Sequence, residues 1–150
     1  MKALTKFCVL LVASFVLASC ASVSKQPVFE EEGLANRGYD VVSYFTDNEA
    51  QLGSEQFSTR YNGVEWRFAS AEHLEMFNNA PQQYAPQYGG YCAYAMSKGF
   101  VVSTDPQAFA IENGKLYLNY SLGVRETWLK DKPGYIEKAN ANWLEKTAEQ

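Results

Sequence analysis

Histidine is almost absent from this chain and cysteine is scarce: His73 stands alone, and the thiols are Cys8, Cys20 and Cys92. A closed structural zinc site draws four tetrahedral Cys or His ligands, and a blue-copper centre needs two histidines beside its cysteine. Neither can be built from one imidazole unless carboxylates or a second molecule complete it. Positive charge is also short, with 13 Lys and Arg against 17 Asp and Glu and a formal charge of −4. That balance repels phosphate backbones and argues against nucleic acid as a partner. No apolar run reaches the roughly 20 residues that a membrane-spanning helix requires. A Gly-x-Ser-x-Gly nucleophile elbow is missing, and Gly89-Gly90 is a lone glycine pair rather than a phosphate loop.

What the N-terminus does carry is Lys2 and Lys6, an apolar run from Phe7 to Ala18 broken only by Ser14, and then Leu17-Ala18-Ser19-Cys20. Basic flank, short apolar centre and small residues predict a cleaved export signal over residues 1–19. The last four residues resemble the lipobox of bacterial lipoproteins, which implies lipidation of Cys20. Several acyl chains there, each buried methylene contributing about 0.8 kcal/mol, would hold the chain stably on a membrane. Ala21 and Ser22 follow, with no Asp next to the cysteine, which resembles the pattern of outer-membrane sorting and a periplasm-facing location. Loss of residues 1–19 removes Lys2 and Lys6 and no acid, leaving 11 basic residues against 17 acidic and a formal charge of −6. With Cys8 gone and Cys20 lipidated, Cys92 is an isolated thiol in an oxidising compartment, and no internal disulfide can form.

From Ala21 to about Asn36 the chain is polar and acidic and follows neither helical nor strand periodicity, so residues 20–37 are expected to form a tether. The remainder, residues 38–150, has the length of one domain with its own core. Tyr39 to Phe45 is rich in β-branched and aromatic residues and predicts a buried strand or an extended entry segment. Phe57–Tyr61 and Val64–Phe68 alternate around Asn62-Gly63, and Ala108–Glu112 and Lys115–Asn119 alternate around Asn113-Gly114. Each predicts a hairpin on a type I′ turn. Helices are predicted from Ala71 to Asn79 behind the cap Ser70, from Tyr91 to Lys98, from Ser121 to Lys130, and beyond Pro133-Gly134 through Ile136, Ala139 and Trp143. The expected fold is α+β, with helices packed on a small antiparallel sheet built from the two hairpins.

Several of these runs carry a family likeness. Tyr39-Asp40-Val41-Val42-Ser43-Tyr44-Phe45, then Tyr61 through Ser70, then Phe77, Pro81 and Tyr84 resemble the YHS domain family. Tyr84-Ala85-Pro86-Gln87-Tyr88-Gly89-Gly90-Tyr91-Cys92-Ala93-Tyr94 is similar to its exported bacterial branch, and the likeness extends from about residue 38 to 145. It implies a short module associated with heavy-metal handling. At the two positions where the metal-linked members carry cysteine, this chain has Ser43 and Ala69.

Among the residues themselves, His73 has Met76 at i+3 and Cys92 has Met96 at i+4. Were the two helices to face each other, imidazole, thiolate and two thioethers would form a soft donor set suited to copper(I). The same methionines fit core packing, and a reduced cysteine is a common core residue. Three functions stay open at this level: transition-metal binding, most naturally copper, through Cys92, His73, Met96 and Met76; a metal-free module that docks a periplasmic protein partner; and thiol redox work at Cys92, for which no second cysteine is at hand. No residue is assigned a catalytic role, and the expectation is a protein that is not an enzyme.

Overall fold

The computed structural model describes residues 27–148; the predicted signal segment, Cys20 and the first part of the tether lie outside the described residues. Six strands and six helices follow in chain order: β1 Glu30–Glu31, β2 Leu34–Ala35, α1 Ser43–Thr46, β3 Ser54–Tyr61, β4 Val64–Phe68, α2 Ala71–Asn79, α3 Pro81–Tyr84, α4 Ala93–Ser97, β5 Asp105–Glu112, β6 Lys115–Asn119, α5 Leu122–Leu129 and α6 Lys132–Ala148. Short 3-10 turns occupy Asn36–Gly38 and Gln87–Gly90. The α+β class is as expected. Among the described residues no helix is long and apolar enough to cross a membrane.

Both hairpins form on the turns that predict them, with Asn62, Gly63, Asn113 and Gly114 all at positive φ. They do not share a sheet. The first belongs to a four-stranded sheet of order β1-β2-β4-β3, whereas β5 and β6 form a separate two-stranded ribbon. Nor is the first sheet purely antiparallel, because Leu34 of β2 pairs in parallel with Glu65 of β4. Residues 30–35 are therefore part of the fold and not of a free tether, and Ala35 and Asn36 are buried. The chain is already docked one step earlier, where the Phe29 amide donates to the Gly89 carbonyl at 2.9 Å. Gly89 has φ +62°, and a Cβ there would run into the Pro27 carbonyl, so this contact requires glycine.

The strand expected over Tyr39–Phe45 is not formed. Tyr39 makes an isolated bridge to Leu52, and Ser43–Thr46 is one turn of helix. The cause is Asp40, whose Oδ1 accepts from the Val42 amide at 2.8 Å and the Ser43 amide at 3.2 Å. This local side-chain capping overrides the extended preference of the β-branched residues that follow. Two helix boundaries also differ. Pro133 lies in the first turn of α6, where its missing N–H leaves no bond unmade, so the break between α5 and α6 falls at Lys130–Asp131. The helix predicted over Tyr91–Lys98 is confined to Ala93–Ser97, since Tyr88, Gly89 and Gly90 all have positive φ and Gly99 ends the turn with φ 83°.

Two apolar clusters fill the interior. One gathers Val41, Val42, Tyr44, Trp66, Phe68 and Phe77 against Leu116 and Leu118; the other gathers Tyr88, Met96, Trp128 and Ala139 against Ala110 and Tyr117. The strand period of two puts Leu116 and Leu118 on one face of β6 and Tyr117 on the other, and helices and sheet cover both. The β5–β6 ribbon is thus a shared wall between two half-cores.

Tyr44, 1 % exposed, crosses that junction: its hydroxyl donates to the Pro106 carbonyl at 2.9 Å and accepts from Asn36 Nδ2 at 3.0 Å. Burial pushes the Tyr44 and Tyr88 phenols far above their ordinary value of 10.0. A raised folded pKa contributes stability that is complete below the unfolded value and declines as pH rises toward the folded one. Thermal stability is expected to be flat through neutral pH and to fall above pH ~10, by up to about 1.4 kcal/mol per pH unit for each such tyrosine. Thermal melts from pH 7 to pH 11.5 check this, and Tyr88→Phe should flatten the alkaline slope.

Candidate functional site

Three places in the fold carry polar or reactive groups in unusual settings. The first is Asp40, fully buried. Besides the two amides on Oδ1, its Oδ2 accepts from the Ala69 amide at 2.8 Å and meets His73 Nδ1 at 2.6 Å. Four donors fill the four acceptor positions of one carboxylate. Because every other partner is an N–H, the carboxylate acts as acceptor throughout and His73 Nδ1 carries the hydrogen. His73 Nε2 then faces outward toward Thr46 Oγ1 at 3.3 Å and the Asp47 carboxylate at 3.9 Å. The side chain is only 13 % exposed.

The second is Cys92, a free thiol 1 % exposed. It caps α4: Sγ accepts from the Ala95 amide at 3.5 Å and the Tyr120 amide at 3.3 Å, with Asn119 Oδ1 3.7 Å away as acceptor for the thiol hydrogen. Its own amide donates to the Val102 carbonyl at 2.9 Å. The side chain thus pins the start of α4 to the end of β6, and the backbone amide of the same residue holds the loop before β5. Among the described residues no second cysteine is available to resolve an oxidised sulfur.

The four residues expected to share a copper ion do not gather. Met76 packs on the edge of the first core cluster and Met96 lies inside the second. His73 is engaged by Asp40 and Cys92 by Asn119, with no partner in common. A carboxylate behind a neutral imidazole is the way metal-bound histidines are oriented, yet the groups beside Nε2 are hard oxygens, not sulfur. Among the described residues no group of three or more His, Cys, Asp and Glu could hold a metal ion. Cys92, His73, Met96 and Met76 thus do not form one shared site in this fold.

The third place was not legible beforehand. A cleft of about 560 Å³ opens between the β3–β4 turn, the stretch from α3 through the following 3-10 turn, and the far half of α6. This is the size of a small-ligand cleft, for which roughly 300–1,000 Å³ is usual. Its walls are aromatic: Tyr61, Trp66, Tyr88 and Trp143, with Pro86 between them. Trp66 and Tyr88 are buried and form the floor, Trp66 stacked on Phe77 at 5.2 Å and Tyr88 edge-on to Trp143 at 6.2 Å. Tyr61 and Trp143 are half-buried and present accessible ring surface. Polar reach comes from the amides of Asn62, Gln82, Gln87 and Asn140, and the one charged lining residue is Lys115. Sequence alone does not bring these four aromatics to one surface. A signal did exist: residues 76–97 contain no charged side chain and are rich in Gln, Asn, Tyr, Gly and Pro. Composition of that kind marks an uncharged surface, but only the fold brings Trp143 and Lys115 to it.

No family model matches the chain, and no curated protein or solved structure does either.

Two outcomes follow from the geometry. Asp40→Asn places an N–H₂ among N–H donors in a buried site and is expected to cost about 3–5 kcal/mol, whereas His73→Ala leaves three amides on the carboxylate and should cost about 1–3 kcal/mol. Urea denaturation of the three proteins measures both. Copper(I) titration of the intact chain against a competing chelator should give no stoichiometric complex; a one-to-one complex abolished in both Cys92→Ser and His73→Ala would reverse the assignment.

Proposed function

We propose that this chain is a binding module of the YHS-like kind, held by lipid on Cys20 at a membrane facing the periplasm, which docks a partner in the aromatic and amide-lined cleft and performs no chemistry of its own. The single observation that carries this reading is the contrast between the cleft and the reactive residues. His73 Nδ1 and the Cys92 sulfur have their hydrogen bonds turned inward on the fold, and neither residue lines the concavity. The cleft, by contrast, presents ring surface and side-chain amides toward solvent, the combination by which binding sites obtain both contact area and orientation. Leu144, 69 % exposed, extends the apolar rim outward on α6.

The YHS-like run supports the reading in one further respect. Tyr61 to Tyr84 runs through the β3–β4 turn, β4, α2 and α3, and that stretch supplies one side of the cleft. A formal charge of −6 after loss of the leader suits a soluble domain working beside a membrane surface rather than on nucleic acid.

Two measurements test the two halves. Cys20→Ser should move the chain from the membrane to the soluble fraction of the envelope, and retention at the membrane would remove the lipid anchor from the reading. Amide hydrogen exchange, compared between the protein in its own envelope and the purified lipidated protein in detergent, should reveal slower exchange over residues 82–89 and 140–144 in the envelope. The protection should vanish in the double variant Gln82→Ala, Gln87→Ala, whose side chains lie at the surface of the cleft. Identical exchange in both settings would eliminate the cleft as a binding site.

A further inference from the structure

We infer that the ligand of the cleft is a short oligosaccharide carrying a carboxylate; this inference rests on the binding-module reading and names the class of its partner. It starts from charge. The chain has 17 acidic residues, yet none lines the cleft, where Lys115 is the only ionised group. Lys115 would ordinarily be neutralised by Glu112, its cross-strand partner beside the Asn113-Gly114 turn. Glu112 is instead taken by the ammonium of Lys132 from α6. Among the described residues Lys115 makes no ion pair, and an acidic protein holds a cation free at the mouth of an uncharged concavity. Charge complementarity there favours a single anionic group on the ligand.

The amides decide the rest. Asn140 Oδ1 accepts the Tyr88 hydroxyl at 2.9 Å, which leaves its N–H₂ as donor. The side chains of Asn62, Gln82 and Gln87 make no hydrogen bond among the described residues, so each offers a donor and an acceptor together. Hydroxyl groups answer both at once, since each donates one hydrogen and accepts through its lone pairs. A proline-rich peptide, the other ligand suited to an aromatic groove, presents carbonyl acceptors only and would leave those amide oxygens unanswered. An extended peptide adding to a sheet edge is unsuited because the cleft lies at the β3–β4 turn, not along an edge strand. The rings of Tyr61 and Trp143 match a pyranose face, whose C–H groups meet the negative face of an aromatic ring. Trp66 Nε1 donates to the Tyr61 carbonyl at 2.9 Å and holds that wall in place.

The test uses the lipidated chain in detergent, with tryptophan emission read during titration with four probes: a hexuronate trisaccharide, an N-acetylhexosamine trisaccharide, a glucose trisaccharide and an octaproline peptide. The hexuronate should bind most tightly, and Lys115→Gln should weaken it about tenfold, which is about 1.4 kcal/mol, a far larger loss than for the neutral trisaccharides. Gln82→Ala with Gln87→Ala should weaken every saccharide, and circular dichroism melts confirm that both variants fold. Equal binding of charged and neutral trisaccharides, insensitive to Lys115→Gln, would overturn the carboxylate. Octaproline binding without saccharide binding would overturn the ligand class. No saccharide binding at about 1 mM would do the same; if envelope protection of the cleft persists, only this inference falls, and if that protection is absent too, the binding-module reading falls with it.

Discussion

The fold is organised around one buried carboxylate. Asp40 ties together three points of the chain: the entry into α1 through the Val42 and Ser43 amides, the exit from β4 through the Ala69 amide, and the first turn of α2 through His73. An ionised group removed from water is costly unless its lone pairs are filled, and here all of them are. The interaction is conditional in both directions. The carboxylate is tolerable inside only because the backbone presents those N–H groups, and the backbone adopts that path because the carboxylate holds it. Phe68 and Phe77, which anchor the first core cluster, stand just before and just after the segment so fixed.

A second constraint joins the halves of the molecule. The β5–β6 ribbon is too small to be stable alone, but it is covered on both faces, by Phe109, Ile111, Leu116 and Leu118 toward one cluster and by Ala110 and Tyr117 toward the other. Cys92 serves this arrangement from the end of β6, where its sulfur takes the Tyr120 amide while capping α4. What looks in sequence like a reactive thiol is, in the fold, a compact linker between strand end and helix start. The cleft follows from the same architecture. Its floor residue Trp66 belongs to the first cluster and Tyr88 to the second, so the concavity lies along the seam where the two half-cores meet. The seam is also where the N-terminal segment docks, through Val28 at the rim and the Phe29 amide on Gly89. The Lys132–Glu112 pair, reaching from α6 to β5, leaves Lys115 at the mouth without a counter-charge among the described residues.

Local chemistry by itself determined much of this protein. Asn-Gly pairs demand positive φ and so set both hairpins; Ser70 and Ser121 cap α2 and α5 because their hydroxyls take the His73 and Val124 amides; the period of two in β6 is visible in Leu116-Tyr117-Leu118. These are interactions within a few residues, and a sequence displays them directly. Tertiary structure alone completed the shell of Asp40, bringing Ala69 and His73 from some thirty residues away to the carboxylate that turns Tyr39–Phe45 locally. It decided that residues 30–35 join β4, a pairing that no periodicity in so short a segment can announce. It also separated His73 and Met76 from Cys92 and Met96, and assembled a cleft from a turn, a 3-10 segment, a strand end and the last helix. Spacing along the chain reports which side chains share an element; which elements share a surface depends on how two cores divide the apolar residues between them, and that is a property of the packed whole.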